Sequence, residues 1–260
     1  MIPPIALREP VGPPGAPLLL LGPSLGTSTK LWDEAAVVLG AHFRVAAWDL
    51  PGHGRADVAS EPFVVGELAD AVIRAVDRFD DEQVLYAGVS LGGAVGLELA
   101  LRHGERLLAL AVVCSGASIG TPSSWHERAA RVLREGTGSL VAESASRWFA
   151  PTTLARSPAR TTALLEFLTD VDDESYARCC EALADYDIHD RLAELQLPVQ
   201  AIWADQDVVT PESSSREVVD GVARGELAAV RNAGHLAPAE RPDEIAQLLQ
   251  SFFAARAVAA

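Results

Sequence analysis

The chain has 260 residues, 49% of them hydrophobic and 22% charged, which suits one large domain with a sizeable core and not a disordered segment. Its formal net charge of −15 excludes nucleic acid and anionic membranes as expected partners, because both demand a basic surface. Three cysteines (Cys114, Cys179, Cys180) form no C-x-x-C arrangement. The N-terminus lacks a secretory pattern, and no apolar run approaches the length that spans a bilayer, so a cytoplasmic protein without a disulfide framework is expected.

Along the chain, apolar runs alternate with amphipathic segments. "PLLLL" (Pro17–Leu21) and "FRVAAW" (Phe43–Trp48) read as buried strands, and "GELADAVIRAVDRF" (Gly66–Phe79) carries apolar residues at helical spacing. "QVLYAG" (Gln83–Gly88) reads as a strand, "LGGAVGLELALRH" (Leu91–His103) as a helix and "LLALAVVC" (Leu107–Cys114) as a strand covered on both faces. From about Thr121 to Ile188 the character is helical, with no convincing strand. Strands resume with "PVQAIWA" (Pro198–Ala204) and "ELAAV" (Glu226–Val230), and "DEIAQLLQSFF" (Asp243–Phe253) closes as an amphipathic helix. This pattern predicts an α/β fold: a mostly parallel sheet with helices on both faces, built from 1–120 and 189–260, and interrupted by a helical cap over 121–188.

The sequence "GVSLG" places Ser90 between a predicted strand and a predicted helix, the setting in which G-x-S-x-G makes a nucleophile elbow. Side chains at Gly88 or Gly92 would crowd so tight a turn. A serine hydroxyl needs a base, and in this architecture the acid and then the histidine follow the serine in the chain. His103 ends the helix after Ser90 and points away from the turn, while His126 and His189 fall in or beside the insertion. His235, in "RNAGHLAPAERP" after the last strand, is the expected base. Asp207 in "WADQDVVTP" is the expected acid, preferred to Asp205. The N–H of Leu91, and that of Leu25 in the loop "GPSLG", are the expected oxyanion donors. "DLPGHG" (Asp49–Gly54) has no metal-ligand partner at short spacing and reads as a structured loop. No phosphate- or dinucleotide-binding motif is present, so neither a metal nor a cofactor is expected.

Together "GPSLGTSTKLWD", "WDLPGHG", "GVSLGGAVGLELA", "WADQDVVTP" and "NAGHLAPAERPDEI", in that order, resemble the α/β-hydrolase superfamily. "SLGTSTKLWD", "WHERAARVLREG", "SRWFAP" and "YARCCEALADYDIHDRLAEL" resemble more closely the 3-oxoadipate enol-lactonases of the β-ketoadipate pathway for aromatic catabolism. The chain departs from that family at Pro23 and in "APAERP", and the short stretch before Pro17 predicts that a first edge strand is missing. The resemblance implies a carboxylic ester hydrolase that opens a small, carboxylate-bearing lactone. A protein of charge −15 must then supply a local cation, and Arg128, Arg131 and Arg147 in the cap are the candidates, with Trp125 and Trp148 as apolar walls. Another ester, thioester or carbon–carbon bond, or simple ligand binding on the same scaffold, are the alternatives.

Overall fold

The computed structural model describes residues 2–79 and 81–257. Strands β1 (Ala6–Leu7), β2 (Leu18–Gly22), β3 (Arg44–Asp49), β4 (Val84–Val89), β5 (Leu107–Val113), β6 (Val199–Ala204) and β7 (Gly225–Val230) form one seven-stranded sheet in the order β1-β3-β2-β4-β5-β6-β7. All neighbours are parallel except β1, which runs antiparallel to β3. The central strands are apolar on both faces because both are covered. Leu18, Leu19, Leu20 and Leu21 of β2 are fully buried, each contributing about 2 kcal/mol of burial.

The expected loss of the first strand is corrected. Ala6 pairs with Asp49 and Leu7 with Trp48, and Val11 bridges Val45. Prolines at 3, 4 and 10 remove backbone donors on either side, so only a two-residue ladder survives at the sheet edge.

Helices α1 (Asp33–Leu39), α2 (Val65–Val76) and α3 (Leu91–His103) follow β2, β3 and β4. α2 buries Leu68, Ala69, Val72, Ile73 and Val76 along one stripe, and α3 is buried over most of its length, packed between α2 and the sheet. Between β5 and β6 come α4 (Pro122–Glu135), α5 (Val141–Trp148), α6 (Pro151–Arg156), α7 (Pro158–Leu168) and α8 (Asp173–Ala184). α4 lies against α8, and the neck below them is stitched where Ile188 N–H donates to the Ala117 carbonyl at 3.0 Å and Tyr186 Oη donates to the Gly116 carbonyl at 3.2 Å. The chain ends with α9 (Glu212–Gly221), α10 (Ala237–Glu240) and α11 (Pro242–Ala257). α1 and α9 carry weak apolar signals. In "ESSSREVVDG" only Ser215 and Val218 are buried, so no stripe marks α9 as a helix. No helix among the described residues is long and apolar enough to cross a membrane. Cys114, Cys179 and Cys180 are buried free thiols.

Candidate active site

β4 ends at Val89 and α3 starts at Leu91, so Ser90 alone turns the chain, with φ 54° and ψ −118°. That conformation costs a non-glycine residue about 1–3 kcal/mol and persists only where the surroundings impose it. Here Ser90 N–H donates to the Val113 carbonyl at 3.0 Å, and the Ser90 carbonyl accepts from Ser115 Oγ at 2.7 Å and Ala94 N–H at 3.0 Å. The flanking glycines are forced by contact: a Cβ on Gly88 would stand 2.2 Å from the Gly92 carbonyl oxygen, and one on Gly92 2.5 Å from that of Pro23. The turn therefore lifts the Ser90 side chain above the sheet, at the positive end of α3.

Gly92 N–H donates to the Pro23 carbonyl at 2.9 Å, docking the loop that carries Leu25 onto the start of α3. Leu91 is the first residue of that helix, so its N–H has no acceptor within it, and Leu25 lines the same cavity as Ser90. Leu91 thus adjoins the serine in the chain and Leu25 adjoins it across the cavity. The loop is held from behind by "DLPGHG". Gly26 N–H donates to His53 Nε2 at 3.1 Å, and Thr29 N–H donates to Asp49 Oδ1 at 2.7 Å. His53 Nδ1 in turn donates to the Pro51 carbonyl at 2.8 Å, which fixes the tautomer. The structured-loop reading of this motif stands, and the loop it structures is the one carrying Leu25.

Complete burial pushes the His53 imidazole down to about 4 from 6.5. Well above pH 6.5 neither folded nor unfolded chain protonates this ring. Below it the unfolded chain binds a proton that the folded one refuses, so stability falls as pH drops toward 4. Between pH 7 and 4.5 the wild type should lose about 2 kcal/mol of unfolding free energy through this ring. His53→Gln should remove that part of the slope, as read from urea unfolding at the two pH values. An unchanged slope in the variant would refute the linkage.

His235 follows β7 and is buried, with Nδ1 2.9 Å from Asp207 Oδ2. Nδ1–H donates to the carboxylate, which leaves Nε2 free to accept a proton, and His235 and Ser90 line one cavity. Asp207 also accepts from Thr210 Oγ1 at 2.7 Å and from the N–H groups of Val209 at 2.8 Å and Thr210 at 3.2 Å. Burial alone would raise its carboxyl, but the charge of His235 and these hydrogen bonds outweigh it and hold Asp207 below the usual carboxylate range. Asp205 instead accepts from Ala233 N–H at 3.4 Å, supporting the loop and not the ring. Glu240 is a further support the sequence pattern leaves unmarked. Its carboxylate accepts from Gly234 N–H at 2.7 Å and Ala150 N–H at 2.9 Å, tying the His235 loop to the segment after α5. The other histidines are elsewhere: His103 binds Asp70 at 2.7 Å, His189 pairs with Asp187 and Glu217, and His126 borders a separate surface cleft.

A narrow cavity of about 20 Å³ lies over Ser90, lined also by Trp125, Trp148 and Tyr176. Arg128 and Arg147 reach it, whereas Arg131 does not and borders only a wider outer cavity of about 280 Å³. The three arginines thus separate into two at the serine and one outside, a ranking set by how α4 and α5 dock. Tyr176, from α8, accepts from Arg128 Nε at 2.9 Å and stacks on His53 with ring centroids 6.2 Å apart. It joins α4 and α8 to the loop that holds Gly26 and Leu25. Such a site can pass a proton from a serine to an imidazole, stabilise an oxyanion with two N–H groups and neutralise an anionic group nearby.

Comparison with known proteins agrees with this architecture. A 3-oxoadipate enol-lactonase of Acinetobacter baylyi is 30% identical over 226 residues, covering 87% of this chain and 84% of its own. The solved enol-lactonase of Burkholderia xenovorans LB400 superposes with a TM-score of 0.92 at 27% identity, covering 96% of both chains. A pimeloyl-[acyl-carrier protein] methyl ester esterase of Photorhabdus laumondii is 29% identical over 235 residues, covering 87% of this chain and 88% of that one. One family model, described as the alpha/beta hydrolase fold, matches residues 17–242, from the first buried strand to the helix beyond His235. The protein is a hydrolase that belongs to the α/β-hydrolase family.

Proposed function

We propose that this protein opens the enol-lactone of 3-oxoadipate, with Ser90, His235 and Asp207 as the catalytic triad beneath a helical cap spanning 121–188. The observation that carries this reading is the convergence of Arg128 and Arg147 on the cavity of Ser90, in a chain whose net charge is −15. An acidic protein repels a carboxylate at long range, so two guanidinium groups at the serine suit a substrate with an anionic group near its scissile bond. The likeness to enol-lactonases over most of the chain supports the same substrate class.

In this mechanism His235 Nε2 takes the Ser90 proton as Oγ attacks the lactone carbonyl. The tetrahedral oxyanion is held by the N–H groups of Leu91 and Leu25. Collapse breaks the ring C–O bond, and the departing enolate, protonated through His235, becomes a ketone, which makes it a good leaving group. Water deprotonated by His235 then attacks the Ser90 ester and releases the dicarboxylate. No cofactor enters.

The test compares 3-oxoadipate enol-lactone with 5-methyl-2(3H)-furanone, the same unsaturated ring without the carboxylate. Loss of the carboxylate should lower kcat/KM about 100-fold, the worth of a charge-assisted contact of about 3 kcal/mol. Equal rates on both rings, or faster turnover of a neutral methyl ester, would favour a general esterase.

A further inference from the structure

Arg128, Arg131 and Arg147 share a single carboxylate. Glu143 Oε1 accepts from Arg128 Nη1 at 3.2 Å and Arg147 Nη1 at 3.3 Å, and its Oε2 accepts from Arg131 Nη1 at 3.1 Å. The arginines are not equally committed. Arg131 also donates to the Ser139 carbonyl and lies 3.5 Å from Glu135, while Arg128 Nε is held by Tyr176 Oη. Among the described residues, Arg147 has only Glu143 as a charged partner. Glu143 borders the outer cavity and is 38% exposed, whereas Arg128 and Arg147 border both cavities and separate Glu143 from the serine.

We infer that Glu143 is a built-in counter-ion that sets the affinity of this site for carboxylate ligands, an inference that rests on the reading of Arg128 and Arg147 as the carboxylate anchor. In the free protein its charge offsets part of the field that the two arginines project over Ser90. A ligand carboxylate arriving from the inner side meets guanidinium groups already shared with Glu143. It binds less tightly than it would to unshared ones. The same carboxylate keeps three like charges together on neighbouring turns of α4 and α5, where they would otherwise repel. Glu143 therefore trades affinity for order, and it acts on anions alone, because a neutral ligand gains nothing from the field.

Calorimetric titration of the full-length Ser90→Ala protein, which cannot open a lactone, and of Glu143→Gln and Glu143→Ala in that background, with glutarate and with neutral γ-butyrolactone tests this. Removing the charge should tighten glutarate about tenfold in both variants, more at low salt than at high, while γ-butyrolactone shifts less than twofold. Glutarate affinity that is unchanged or weaker in both variants, with γ-butyrolactone held, would overturn the inference. Parallel weakening of both ligands would overturn it too, by showing a purely structural role. Absence of glutarate binding in all three proteins would remove the carboxylate anchor itself. The enol-lactone reading fails separately, if glutarate behaves as stated and the wild type does not turn over the enol-lactone.

Discussion

Replacing Ser90 by alanine should lower kcat/KM on a turned-over ester or lactone by about 10^5- to 10^6-fold, with little change in folding. The loss is large because the hydroxyl is the only group on the turn that can carry the acyl chain, and members of such a triad act as a unit. The fold should survive because what holds the turn is backbone: the Ser90 N–H bond to Val113 and the carbonyl bonds from Ser115 and Ala94 need no hydroxyl. Alanine meets the same left-handed strain at φ 54°, and it fills almost the same space. Residual catalysis would come from the N–H groups of Leu25 and Leu91. Progress curves alongside urea unfolding check both halves, and a loss below about 100-fold would point to another nucleophile.

Asp207→Asn should cost about 10^4-fold in kcat/KM. The carboxylate accepts from His235 Nδ1–H, and so keeps Nε2 unprotonated toward the serine. An amide can turn its NH₂ toward Nδ1, which then becomes the acceptor, and the ring proton moves to Nε2, where it blocks the base. The shape of the site is preserved and its proton logic reversed. Because Asp207 is held below the usual carboxylate range, acidification to about pH 4 should not reproduce the Asn variant by protonating it. Asp205→Asn is the matched control. Asp205 accepts from the Ala233 N–H and lies 4.0 Å from Arg231 Nη1, away from the His235 ring, so its loss should lower activity far less, and the reverse ranking would exchange the two aspartates.

The parts of the site read from the sequence are those with a local signature. Ser90 stands where a buried strand meets a helix, and Gly88 and Gly92 mark a turn that only small residues can make. The order of Asp207 and His235 after their strands follows from the sheet. The sharing of Glu143 by three arginines has no such signature, because α4 and α5 bring those residues together only once docked. Tyr176 is hidden for the same reason: it sits on α8, and nothing in "DESYARCC" marks one side chain as bridging His53 and Arg128. In "DLPGHG" a loop was legible, but not its purpose, since Gly26 and Thr29 lie 27 and 20 residues from their partners His53 and Asp49. β1 has no signature in the sequence, because a two-residue ladder between prolines carries no period at all.

The most direct measurement is rapid acid quench of the wild type during turnover of 3-oxoadipate enol-lactone, followed by intact mass and peptide mapping. Ring opening leaves the departing oxygen within the same molecule, so the acyl-enzyme must gain the full mass of the lactone, carried on the peptide containing Ser90. That adduct should rise within the first turnover and vanish as substrate is exhausted. Turnover without any adduct, or an adduct on a different residue, would contradict Ser90 as the nucleophile of a lactonase.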